Sequence, residues 1–177
     1  MSDTPLWQLS ASELATLIHA HKISATEATQ SAIDRMQAVN PGLNAVVVDL
    51  SDAALTRAQA LDASGAAMGP LHGVPVTIKI NVDQQGQATS NGLPALKDWL
   101  APEDAPLVKN LLDAGAVVIG RTNTPEFSFR ADTDNPLHGR TYNPWGKHLS
   151  AGGSSGGAGS AVMAATARAR GNRWARA

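Results

Sequence analysis

The sequence contains no cysteine. Disulfide bonds, a thiolate nucleophile and a cysteine-ligated metal are therefore excluded, a usage that suits a reducing compartment. It also lacks an excess of either charge. Lys and Arg number 14 against 15 Asp and Glu, for a formal net charge of −1. This excludes a globally basic nucleic-acid binder and gives no electrostatic pull toward a membrane surface. No apolar run approaches the ~18 residues of a membrane span. The opening MSDTPLWQLS has no basic region followed by an apolar one, so no secretory leader is read. The expectation is a soluble, cytoplasmic chain. Internal repeats, heptads, and HExxH or CxxC spacings are likewise missing, so neither a metal nor another cofactor is expected. What remains is ordinary globular material: 177 residues, 43% of them hydrophobic, with 16 Gly and 10 Pro, too few for a disordered linker. That length suits one domain or the front of a larger one.

Local signals outline the elements. Ser10 with Glu13, and Ser24 with Glu27, have the spacing of capping boxes, in which each side chain satisfies a free backbone N–H at a helix start. Leu14, Leu17 and Ile18 follow the first box at helical spacing, and Ala28, Ile33, Met36 and Val39 follow the second, predicting a helical hairpin. Asn40-Pro41 is expected to end the second helix, because the residue before proline disfavours helix. Leu43–Leu50 suits a strand, Ser51 is a cap for a helix reaching about Ala63, and Gly65–Gly73 is a turn-rich connection. Val74–Ile80 predicts a strand. Pro106–Ala114 predicts a helix capped near Asp104 and stopped by Gly115, and the apolar Ala116–Ile119 has the look of a strand buried on both faces. Strand, helix and strand in succession point to an α/β sheet. From Arg121 to Gly157, Asn, Pro, Thr and Gly dominate, and so long a stretch without regular structure inside a domain is usually functional.

Two features could carry chemistry. Lys79 sits among apolar residues in a predicted buried strand, where burial without a carboxylate partner would disfavour its charged form and make it a proton acceptor near neutral pH. The plainer reading is a strand-end lysine reaching solvent. The second feature is Gly152-Gly-Ser-Ser-Gly-Gly157, followed by Ala158, Gly159, Ser160 and Ala161. It could be a flexible linker, although linkers rarely run straight into an apolar helical segment such as Ala161–Ala165. A phosphate-cradling loop is a second reading, short of the lysine and spacing of a P-loop. A serine-based catalytic loop is the third. Histidine offers that serine no obvious base: His19 and His21 fall in the helical hairpin and His72 in a turn, while His138 and His148 lie in loops where either could line a pocket.

Taken together, Gly69-Pro-Leu-His-Gly-Val-Pro75, Val76-Thr-Ile-Lys-Ile-Asn81, Ala114-Gly-Ala-Val-Val-Ile-Gly-Arg-Thr-Asn-Thr-Pro-Glu-Phe127, Thr141-Tyr-Asn-Pro-Trp145 and Gly152-Gly-Ser-Ser-Gly-Gly157 occur in order and closely resemble the amidase signature family, over about Leu6 to Ala165. The resemblance implies an α/β fold with a central mixed sheet flanked by helices. It implies hydrolysis of a small-molecule carboxamide C–N bond by a Ser, cis-Ser, Lys triad. Position by position, Lys79 matches the catalytic lysine and Ser154 the bridging serine with a cis peptide bond. Ser155 is a weaker carry-over, as a residue that orients the network. The family also includes the glutamine-dependent amidotransferase subunit that releases ammonia from glutamine, and a non-catalytic anion-binding fragment is a further alternative. No nucleic-acid or membrane partner is expected, and a homo-oligomer is left open.

The family's spacing from Ser154 puts its nucleophilic serine at position 178, one residue past Ala177, and Asn172–Ala177 do not follow its glycine-rich approach. The departure begins near Thr166, and of nine arginines, Arg168, Arg170, Arg173 and Arg176 fall in the last ten residues. A shifted reading frame in GC-rich coding sequence would produce such a run, and a basic surface tail is the simpler alternative. Residues 1–165 are thus expected to be the N-terminal part of an amidase domain, truncated and inactive alone, and 166–177 an aberrant Arg-rich tail.

Overall fold

The computed structural model describes residues 4–64 and 69–164. The arginine-rich tail and the expected nucleophile position lie outside the described residues. Among the described residues, five α-helices and three strands alternate: α1 (Ala11–His19), α2 (Ala25–Leu43), β1 (Val46–Asp49), α3 (Ser51–Ala63), β2 (Pro75–Lys79), α4 (Pro106–Asp113), β3 (Val117–Thr122) and α5 (Gly156–Met163). Both capping boxes form as the spacing predicts, with Ser10 and Ser24 accepting from the backbone of Glu13 and Glu27 and the glutamates reaching back.

The strands make a mixed sheet in the order β1-β3-β2, with β1 antiparallel and β2 parallel to the central β3. The central position explains the unbroken apolar run of β3, since successive side chains must leave opposite faces and each face is covered. Val117 and Ile119 pack with α2, α3 and Ala161 of α5, whereas Val118 points to the other side and meets Ile78 of β2 and Val108 of α4. Leu14 and Ile18 of α1 form a smaller cluster with Ala28.

Four boundaries differ from expectation. Helix α2 passes through Pro41 to Leu43. Its end is fixed instead by Asn44 in the left-handed conformation and by the Asn40 carboxamide, whose Oδ1 accepts from the N–H of Ala45 (2.9 Å) and Val46 (2.9 Å). Ser51 is the first residue of α3 rather than its cap, and its hydroxyl donates to Asp49. Asp104 does not cap α4; the cap position is Ala105, and Asp104 accepts from the N–H of Gln85 at 2.7 Å. Finally, β3 continues through Arg121 and Thr122 into what composition marks as loop, because Val46 and Val48 on one side and Ile78 and Lys79 on the other supply ladder partners.

Candidate active site

Lys79 is the last residue of β2 and pairs with Thr122 of β3. Its neighbours Ile78 and Ile80 are buried, and the N–H of Ile80 bonds to the carbonyl of Thr122 at 3.0 Å, so the strand end is rigidly held. Lys79 itself is half-buried rather than fully enclosed. Among the described residues no carboxylate forms an ion pair with it, and desolvation pulls its amine below the ordinary lysine range.

The glycine–serine segment arrives from the other side of the sheet's end. Gly152 takes φ +80°, a conformation that side chains resist, and the Gly153–Ser154 peptide bond is cis. Thr133 staples the turn: its hydroxyl donates to the Gly152 carbonyl at 2.9 Å and accepts from the N–H of Gly156 at 3.1 Å. α5 starts at Gly156, and its second residue, Gly157, lies so close to Asn123 and Ala45 that a Cβ would sit 2.8 Å from the Ala45 carbonyl oxygen. The missing side chains thus let the helix N-terminus approach β3 and bring Ser154 over the end of β2. Lys79 Nζ donates to Ser154 Oγ at 2.8 Å and to Ser155 Oγ at 3.2 Å.

The structure therefore brings Lys79, Ser154 and Ser155 together. It does not bring the histidines. His138 is half-buried, with burial lowering its pKa, and its carbonyl accepts from Asn44 Nδ2 at 2.7 Å. His148 is exposed. Neither hydrogen-bonds to Lys79 or Ser154. His19 Nε2 lies 3.0 Å from the Gly69 carbonyl oxygen.

Three residues not singled out by sequence reasoning adjoin the site. Asn81 Nδ2 donates to Ser128 Oγ at 3.1 Å, Ser128 Oγ lies 3.0 Å from Thr124 Oγ1, and Thr124 Oγ1 donates to the Ser154 carbonyl at 3.0 Å. Beneath them Asn135 donates to Asn123 Oδ1 (2.7 Å) and Asn123 donates to Thr141 Oγ1 (3.0 Å). Sequence reasoning quoted Asn81, Asn123, Thr124 and Thr141 inside the motifs without giving any of them a role, and Ser128 and Asn135 have only the Asn- and Thr-rich texture after Gly120 to mark them. Chemically, an amine carrying no counter-ion against a serine hydroxyl can take and return a proton through that hydroxyl.

The sequence and the fold have counterparts among known proteins. Residues 27–169 match the family model described as Amidase. The chain is 61% identical over 163 residues to an indoleacetamide hydrolase of Bradyrhizobium diazoefficiens, covering 90% of this chain and 31% of that protein. It is 42% identical to a glutamyl-tRNA(Gln) amidotransferase subunit of Acidothermus cellulolyticus, covering 93% of this chain and 33% of the other. Among solved structures, a bacterial aryl acylamidase superposes with TM-score 0.87 at 34% identity, covering 93% of this chain and 35% of its own. A 6-aminohexanoate cyclic dimer hydrolase gives TM-score 0.83 at 38% identity, with 93% and 33% covered. The chain thus spans about a third of the length of the relatives it matches.

Proposed function

We propose, from the premise that the chain belongs to the amidase family, that it forms the lysine-and-bridging-serine wall of a carboxamide hydrolase. The observation that carries this reading is the 2.8 Å contact between Lys79 Nζ and Ser154 Oγ, made by a lysine with no ion-pair partner among the described residues. In the proposed reaction Lys79 in its neutral form accepts the Ser154 hydroxyl proton while Ser154 takes one from a nucleophilic serine contributed by polypeptide outside the described residues. The nucleophile's oxygen bonds to the amide carbon, the C–N bond breaks, and the relayed proton leaves with the amine. Water then cleaves the acyl ester along the same relay. Ser155, 3.2 Å from Lys79 Nζ, orients the amine.

The 61% identity to an indoleacetamide hydrolase makes indoleacetamide the first substrate to test. Residues 1–164 of this chain are joined to the remaining two thirds of that enzyme, and ammonia release is measured. Turnover by the fusion, reduced about 10²- to 10⁴-fold by Lys79→Ala and by Ser154→Ala, is the expected result. A well-folded fusion that binds indoleacetamide but never releases ammonia, or one indifferent to both substitutions, refutes the proposal.

A further inference from the structure

The relay uses the hydroxyl of Ser154, whose aim depends on what holds that residue's peptide. Its carbonyl oxygen is held by Thr124, which is fully buried. Counting protons gives the arrangement a direction. The Thr124 hydroxyl has a single proton, and the carbonyl of Ser154 can only accept, so that proton is committed at 3.0 Å. The 3.0 Å contact between Thr124 Oγ1 and Ser128 Oγ must then be filled by the Ser128 proton. With its own proton spent, Ser128 Oγ is left as an acceptor, and it receives Asn81 Nδ2 at 3.1 Å. The ordered chain runs Asn81 to Ser128 to Thr124 to the Ser154 carbonyl, each donor used once at each step, and such chains polarise their members cooperatively.

The two ends of that chain matter. Asn81 lies two residues after Lys79, just beyond the same strand end. Ser128 is held in the left-handed region, at φ 62°, which places its hydroxyl between the other two members. The Lys79 region therefore grips Ser154 twice, directly at Oγ through the amine and indirectly at the carbonyl through three side chains. We infer that Thr124 is a positioning residue: with Ser128 and Asn81 it fixes the Ser154 peptide so that the Ser154 hydroxyl stays aimed at Lys79 Nζ. This rests on the function proposed above and adds to it residues that reach Ser154 through its carbonyl, apart from the Lys79 amine.

Two measurements test it. Ser154-Ser155 is the only Ser-Ser pair in the sequence. In the whole chain grown with serine labelled at its carbonyl carbon and amide nitrogen, the carbonyl-to-amide correlation spectrum therefore has a single cross-peak, and it reports the Ser154 carbonyl. Thr124→Val is expected to move that carbonyl resonance upfield and Thr124→Ser to leave it in place. In the active fusion, Thr124→Val is expected to lower kcat about tenfold with KM held within about twofold, and Thr124→Ser to restore it. Ser128→Ala acts through the same chain, so the double variant Thr124→Val with Ser128→Ala is expected to be no slower than Thr124→Val alone. A cross-peak unmoved by Thr124→Val, unchanged kcat in an active fusion, or additive losses in the double variant each overturn the inference while leaving the proposed function standing. An unsubstituted fusion that folds but lacks turnover overturns both.

Discussion

Two glycines in α5 should respond to alanine with opposite signs. Gly157 is buried, and a Cβ added there would run into the Asn123 backbone nitrogen and oxygen and lie 2.8 Å from the Ala45 carbonyl oxygen. All three neighbours are main chain, so no rotamer change relieves the clash; the helix must move off β1 and β3. Overpacking of this kind costs about 1–3 kcal/mol. The replacement of glycine by alanine inside a helix returns about 1 kcal/mol, leaving a net loss of up to about 2 kcal/mol. Gly159, two residues on, is exposed and a Cβ there would meet nothing within 4 Å, so only the favourable part applies. For a chain of this size 1 kcal/mol moves Tm by about 2–4 °C. Gly157→Ala should therefore lower Tm by up to about 8 °C and Gly159→Ala raise it by about 2–4 °C, read by circular dichroism melts with urea titration alongside. A Gly157→Ala protein above the wild-type Tm, or two variants that shift the same way, would refute the idea that close approach of α5 to the sheet sets the glycine requirement.

Other perturbations follow from single groups. The Asp62 carboxylate accepts from the N–H of Ala25 (2.7 Å) and Thr26 (3.0 Å) and from the Thr26 hydroxyl (2.6 Å) at the start of α2. Burial alone would raise its pKa, but these bonds and nearby His72 carry it below the ordinary value. A lowered folded-state pKa contributes stability above the unfolded value that is lost as pH falls through the folded one. Asp62→Asn should therefore cost about 1 kcal/mol at neutral pH, discounted for solvent screening, and flatten the acid limb of a stability-versus-pH curve. Arg121 is fully buried in β3, where desolvation lowers its pKa to about 10, and it donates to the carbonyls of Ala88 (2.5 Å) and Val82 (2.6 Å). Arg121→Met should destabilise by about 2–4 kcal/mol in urea unfolding, because two part-buried carbonyls lose a charged donor. Lys79 is shifted down by burial, whereas exposed Lys109 is shifted up by its hydrogen bond to Asp113. Competitive amine acylation followed by mass spectrometry should show Lys79 titrating at the lower pH; the reverse order would remove the basis for a neutral lysine.

The parts of this fold that were legible in the sequence are those in which a few adjacent residues satisfy one another. Ser10 with Glu13 and Ser24 with Glu27 close their capping boxes within one turn, so the starts of α1 and α2 need no knowledge of the rest. Val117, Val118 and Ile119 announce a strand buried on both faces because alternate residues do meet different clusters. Boundaries set across the chain were not legible. Arg121 and Thr122 are strand because two other strands flank them, and Asp104 is drawn to the N–H of Gln85 instead of capping α4. The site divides in the same way. Lys79 and Ser154 were named by motif, but their juxtaposition depends on β2 pairing with β3 and on α5 seating against β3, neither encoded in spacing. Thr124, Ser128 and Asn81 were hidden because each is an ordinary polar residue whose meaning comes only from the next one in line.

The three readings of the glycine–serine segment make different physical demands on its glycines and its backbone donors. A linker would leave its glycines interchangeable, yet here each has its own requirement: Gly152 adopts φ +80°, a Cβ on Gly153 would run into the main chain at Arg130–Asp132, one on Gly156 would run into Thr133, and Gly157 has no room for a Cβ. An anion cradle needs free backbone donors converging on one point. The N–H of Gly152 is already taken by Ser150 Oγ at 2.9 Å and that of Gly156 by Thr133, so two of the groups such a cradle would use are committed to holding the turn. What the turn presents instead is a pair of serine hydroxyls against an amine, at 2.8 and 3.2 Å. Two backbone donors held within the turn and two hydroxyls facing an amine favour the proposed proton relay over an anion cradle, because a relay depends on hydroxyl position and an anion site on N–H availability.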